Sequence, residues 1–279
     1  MSKYIIMKDL CKSEAFGSRM GNYAALYAIS LVTGHTPAII NNENKYAFDL
    51  FNKQFRNNKD IHEIFPNFLK IFSKINHNDY EFITHYVKDI IRDDSVYNIN
   101  TNHNYNFKGL FHLYHYWYDF KEDIKELYEF DKNFTHDVKK LLPKSDKELV
   151  SICVRHEYVI NKSPSHVNLT LDYYNKAMSY FPNANFLIFS DDISYCKDLF
   201  KNHSNIFYTD PMPSATGMYL MSVCDHNINA NSSFSWWASF LNKNPNKKII
   251  CPKYYIKTVQ FEFINSNYYL DDWIYIDNL

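Results

Sequence analysis

Short apolar runs alternate with polar breaks along this chain, and their lengths predict strands and helices in turn. Residues 4–7 form a compact apolar run that predicts a short buried strand. An Ala-rich apolar stretch over 23–32 predicts a helix, with Gly34 placed to end it as a C′ glycine. Residues 37–40 predict the next strand. From 41 to 104 the chain is polar, with amphipathic spacing at 61–75 and 80–93 that predicts helices. Residues 121–130 predict a further helix, since Ile124, Leu127, Tyr128 and Phe130 fall near one face.

A polar break at 143–147 marks a change of pattern. Continuous apolar runs at 149–154, 186–189, 206–208, 227–230 and 249–251 read as buried strands. Helical stretches at 171–180, 193–200, 217–223 and 235–241 lie between them. Strands alternating with helices predict a parallel sheet. The fold class expected is α/β, with two Rossmann-like domains and a cleft between them. The boundary falls near 145, separating a domain of residues 1–145 from one of residues 146–279, with the last segment free to pack back on the first.

Composition narrows the function. The 279 residues carry 30 Lys and Arg against 31 Asp and Glu, a net charge of −1, so there is no basic excess for nucleic acid. Five cysteines stand far apart without zinc or CxxC spacing, which predicts reduced thiols, a cytoplasmic location and no metal site. No apolar window is long enough to span a membrane, so at most peripheral contact is expected. Glycine is scarce: there are 5, where average usage predicts about 20. Each is therefore a marker of special backbone. With 18% aromatics the chain has ample material for cores.

Four strand ends carry candidate chemistry. Gly17-Ser18-Arg19-Met20-Gly21-Asn22 reads as a strand-to-helix turn where backbone N–H groups approach a ligand and Arg19 meets an anion; a tight structural turn is the alternative. Arg155, His156 and Glu157 follow a buried strand directly, at the end where open α/β sheets bind ligands. Arg155 suits a phosphate and the other two suit proton transfer; ordinary ion pairs would explain the same residues. Ser190-Asp191-Asp192 can accept hydrogen bonds from a base or ribose, or cap the helix that follows. Asn231, Ser232, Ser233 and Phe234 open the last helix, where hydroxyls and free N–H groups either hold an anion or simply cap. Neither GxGxxG nor GxxxxGK[ST] is present, which excludes dinucleotide and P-loop readings.

Together these residues resemble the bacterial family-11 alpha-1,2-fucosyltransferases. Tyr219-Leu220-Met221-Ser222 through Asn231-Ser232-Ser233-Phe234-Ser235-Trp236-Trp237-Ala238 resembles that family's LxxMSxCxxNIxxNSSFSWWxAxL. Leu171-Asp172-Tyr173-Tyr174 and Phe189-Ser190-Asp191-Asp192 resemble its LDYY and FSDD blocks. Phe107-Lys108-Gly109-Leu110-Phe111 looks like its GYFQ element, and residues 17–27 look like GRLGNQMFQYA. The likeness spans most of 14–35 and 105–255 and is poor over 40–104. One stretch departs. Where the family carries HxRRGDY, this chain has Cys153-Val154-Arg155-His156-Glu157-Tyr158, keeping one arginine, placing His156 at the second, and losing a glycine.

The resemblance implies a GT-B fold and inverting, metal-independent transfer of L-fucose from GDP-fucose to a galactoside hydroxyl in surface-glycan synthesis. The partners implied are a nucleotide-sugar donor and an oligosaccharide or glycolipid acceptor, with no cofactor. Arg155 is expected to stabilise the leaving diphosphate. Ser232, Ser233 and the helix start beyond Asn231 and Phe234 are expected to assist at the phosphates. Asp191 or Asp192 is expected at guanine or ribose, and Arg19, Gly21 and Asn22 at the donor from the first domain. Glu157 and His156 are candidates for the general base, with a first-domain carboxylate equally open. The altered stretch keeps two alternatives alive: a relative using another GDP-sugar, and an inactive sugar-binding homologue.

Overall fold

A computed structural model describes residues 2–8, 16–40, 61–87, 92–109, 111, 114–161, 165–257 and 268–279. The chain divides into two compact units, Met1–Thr135 and His136–Leu279.

The first unit is a five-stranded parallel sheet. Its strands are β1 (Tyr4–Ile6), β2 (Thr36–Ile40), β3 (Ser73–Ile75), β4 (Ile83–Tyr86) and β5 (Tyr105–Lys108), in the order β3-β2-β1-β5-β4. Helix α1 (Phe16–Thr33) joins β1 to β2 and is buried along almost all its length, as an apolar helix without a polar face must be. Gly34 ends it at φ 73°, donating its N–H to Ser30 O at 2.9 Å.

Two expected helices are not there. Residues 61–75 form α2 (Ile61–Ile64), α3 (Phe68–Ile71) and then β3, because Pro66 interrupts the helix and β3 gains a parallel partner in β2. Within 80–93, β4 pairs with β5 in place of the expected helix, and residues 88–91 lie outside the described residues. Pairing with a neighbouring strand, and not local propensity, decides such short segments. Two short helices complete the run: α4 (Lys121–Leu127), in the stretch expected to be helical, and α5 (Lys132–Lys139).

The second unit follows the predicted alternation closely. Its elements are β6 (Leu149–Val154), α6 (Glu157–Asn161), α7 (Leu171–Met178), β7 (Asn185–Ser190), α8 (Ile193–Leu199), β8 (Ile206–Tyr208), α9 (Ser214–Ser222), β9 (His226–Ile228), α10 (Ser233–Leu241), β10 (Ile249–Pro252) and β11 (Ile274–Ile276). The sheet order is β11-β10-β9-β6-β7-β8, and every pairing is parallel. The final segment thus supplies an edge strand of the second sheet. Successive strands run outward from β6 through β7 to β8, then restart on its other side with β9. The topological switch point therefore lies between β6 and β9, where open α/β sheets take ligands beyond their strand ends.

Candidate active site

Register brings the chemistry together. Val154 pairs with Ser190, so Arg155 and Asp191 leave the sheet side by side. Ile152 pairs with Ile228, so residues 229–232 emerge on the other flank of β6.

Arg155 Nη1 lies 3.3 Å from Asp191 Oδ2, with both side chains only about one-fifth exposed (20% and 18%). The other Asp191 oxygen accepts the His156 main-chain N–H at 2.9 Å. One carboxylate thereby orients both the guanidinium and the turn that carries it. Asp192 caps α8: its Oδ1 accepts the Tyr195 N–H at 2.9 Å, and its own N–H donates to Ser190 Oγ at 2.9 Å. Its Oδ2 meets His156 Nδ1 at 3.1 Å. The Tyr195 N–H, aided by His156, holds the Asp192 carboxyl below the usual carboxylate range, against the opposing effect of burial. The His156 ring lies flat on Tyr195, with centroids 3.6 Å apart and planes within 2°. Glu157 opens α6 and is exposed.

The β9 flank is built differently. Asn231 is buried, and its Nδ2 donates to Val167 O at 2.6 Å and Tyr255 O at 3.1 Å, stapling two loops to the start of α10. Ser232 is the N-cap, accepting the Phe234 N–H at 3.3 Å. Ser233 shares a hydrogen bond with the buried Tyr268 hydroxyl. Phe234 packs over Gly217, its Cζ 3.4 Å from where a Cβ there would stand. Ser235 Oγ donates to Ser232 O at 3.1 Å, and Trp236 Nε1–H donates to Tyr268 O at 2.9 Å. The side chains of this block thus assemble the helix start.

Cys153 links the two flanks. Its thiol faces the Ser235 hydroxyl and the Ala230 main chain, and burial pushes it up to about 11. It is therefore a neutral packing group and not a nucleophile at neutral pH.

In the first unit the 17–22 motif is not the expected turn. It forms the opening turns of α1. Arg19 is fully buried at 0% exposure. Asn22 Oδ1 accepts the Phe111 N–H at 2.9 Å, across 89 residues, and a Cβ on Gly21 would stand 3.3 Å from Phe111 O. Gly21 and Asn22 thus bind the helix to the segment after β5, joining two motifs that are remote in sequence.

Sequence reasoning missed Tyr195, Tyr268, Val167 and Tyr255. Tyr195 left one signal, its place three residues beyond a capping aspartate. The others left none, because their partners are 24 to 64 residues away and act through main-chain oxygens. Among the described residues no group of three His, Cys, Asp or Glu side chains is arranged as a metal site, and no helix is long and apolar enough to cross a membrane.

Known proteins resemble this arrangement. Residues 1–277 match the model of the family described as Glycosyl transferase family 11. The chain is 23% identical over 282 residues to an Escherichia coli protein named O-antigen biosynthesis glycosyltransferase WbnK, covering 87% of this chain and 93% of that one. It is 31% identical over 150 residues to an Escherichia coli alpha-1,2-colitosyltransferase, covering 48% of this chain and 50% of the relative. Among solved structures, fucosyltransferase NodZ from Bradyrhizobium matches with a TM-score of 0.55 at 13% identity, over 85% of this chain and 91% of that one. POFUT1 in complex with GDP matches with a TM-score of 0.52 at 10% identity, over 89% of this chain and 98% of that one. At such identities the structural likeness shows the fold, which is GT-B-like.

Proposed function

Because the chain belongs to glycosyl transferase family 11 and is a glycosyltransferase, we propose that it transfers L-fucose from GDP-fucose to a galactoside hydroxyl, with inversion and without a metal ion. The observation that carries this reading is Arg155 at the switch point, oriented by Asp191 and followed by His156, beside the N-terminus of α10. Transfer breaks the bond between the anomeric carbon and the β-phosphate, so negative charge grows on the departing GDP. A fixed guanidinium and a helix N-terminus stabilise that charge without reorganising. In this reading Arg155 contacts the diphosphate. Asp191 positions Arg155, leaving its remaining acceptor capacity for ribose or base. Asn231, Ser232 and Ser233 shape the α10 start, and Gly21 and Asn22 hold their own segment in place. The acceptor hydroxyl must lose a proton as it attacks; the exposed Glu157 is the candidate base.

The relatives' names support a surface-glycan product, since one is named for O-antigen synthesis. The other, named an alpha-1,2-colitosyltransferase, favours a second reading in which the donor carries a different deoxy sugar. Incubation of the protein with GDP-fucose and a panel of galactosides tests both. GDP release coupled to a fucosylated product is expected. Turnover no greater than donor hydrolysis with every acceptor would reject the fucose reading, and turnover with another GDP-sugar alone would establish the second.

A further inference from the structure

His156 is held more firmly than a strand-end turn requires. Its main-chain N–H is bound by Asp191, its Nδ1 faces the Asp192 carboxylate, and its ring is stacked on Tyr195. Its Nε2 forms no hydrogen bond with the described residues. The Asp192 carboxylate is itself locked by the Tyr195 N–H and stays ionised. It therefore keeps a proton on Nδ1 in both charge states of the ring. The proton that comes and goes is then the one on Nε2, the atom left open.

Charge decides what that proton does. The ionisable groups around the ring are Arg155 and Glu157 on its own segment, Asp191 and Asp192 beyond β7, and Tyr195 on α8. Arg155 is balanced by Asp191. With a neutral imidazole, Asp192 and the exposed Glu157 leave net negative charge where a dianionic diphosphate must bind. An imidazolium cancels the charge of Asp192, the nearer of the two, and Nε2–H becomes a charge-assisted donor.

We propose that His156 is a proton-dependent diphosphate ligand, binding the donor through Nε2–H only when the ring is protonated. This rests on the donor reading above. It makes donor affinity, and not only turnover, fall as pH rises.

The test is calorimetric titration of the full chain with GDP-fucose, without acceptor, between about pH 5.5 and pH 8.5. The diphosphate of GDP-fucose is esterified at both ends and does not itself titrate in this range. Affinity should fall about tenfold for the native protein, the worth of one charge-assisted hydrogen bond. His156→Arg, charged throughout, should bind with a profile flat to about twofold. The proposal is overturned if native affinity is flat while turnover rises with pH, which would make His156 the general base. It is also overturned if His156→Arg keeps the native pH dependence. Absence of binding at every pH would instead reject the donor reading, and this proposal with it.

Discussion

Arg155 is the residue on which turnover should depend most. On the proposed reading Arg155→Ala removes the charge that faces the departing diphosphate, and should lower turnover by about 10²–10³. Because the side chain lies beyond the carboxyl end of β6 and is one-fifth exposed, the melting temperature should change little, and steady-state assays beside thermal melts check both. Cys153 makes the opposite case. Its thiol is buried, with a pKa pushed up to about 11, so it stays protonated at pH 8. Cys196 and Cys224 are likewise buried and shifted upward. None of the three should be alkylated by iodoacetamide in the folded protein, whereas all should react after denaturation; peptide mass spectrometry reads this directly. Arg155 stood out in the sequence by its place directly after a buried strand, although an ordinary ion pair, of the kind it makes with Asp191, explains a cation there as well. The roles of Asn231 and Ser233 were not legible. An amide or hydroxyl at a helix start serves a ligand or the protein equally well, and the contacts with Val167, Tyr255 and Tyr268 come from residues remote in sequence.

At the scale of elements, the scarce glycines separate by what surrounds them. A Cβ at Gly21 would crowd the Phe111 carbonyl at 3.3 Å, and that carbonyl's peptide segment is tied down by Asn22. A Cβ at Gly217 would meet the Phe234 ring at 3.4 Å and the Met212 sulfur at 3.7 Å, both ordinary contacts. Gly217→Ala should therefore be neutral or stabilising by up to about 1 kcal/mol through helix propensity. Gly21→Ala should be less stable than Gly217→Ala by about 1–2 kcal/mol. Gly34→Ala forces a side chain to φ 73° and should cost about 1 kcal/mol. Urea unfolding of the three variants tests this ranking. Scarcity alone pointed to all five glycines, and the structure shows two distinct reasons, close approach at Gly21 and left-handed backbone at Gly34.

For the whole molecule, the relevant fact is that each sheet reverses its strand order beside its first strand, between β1 and β5 and between β6 and β9. A ligand bound at the second switch point binds the folded chain and not the unfolded one, so it must stabilise it. GDP-fucose at a hundredfold excess over its dissociation constant should add about 2.7 kcal/mol. A chain of this length should then melt about 5–10 °C higher. Arg155→Ala should lose most of that shift at the same concentration, and differential scanning fluorimetry measures it.

The sequence by itself determined the alternation of strands and helices from residue 149 to residue 252, the capping of α1 by Gly34, and the family motifs. These rest on periodicity and on turn chemistry, which are properties of neighbours along the chain. Tertiary structure alone decided that 80–87 holds a strand, that the 17–22 motif is helical, and that His156 stands between Asp192 and Tyr195. The physical reason is common to all three. Each depends on a partner brought by sheet register or helix packing from tens of residues away, and the energy of such contacts exceeds the small local preferences that a sequence displays.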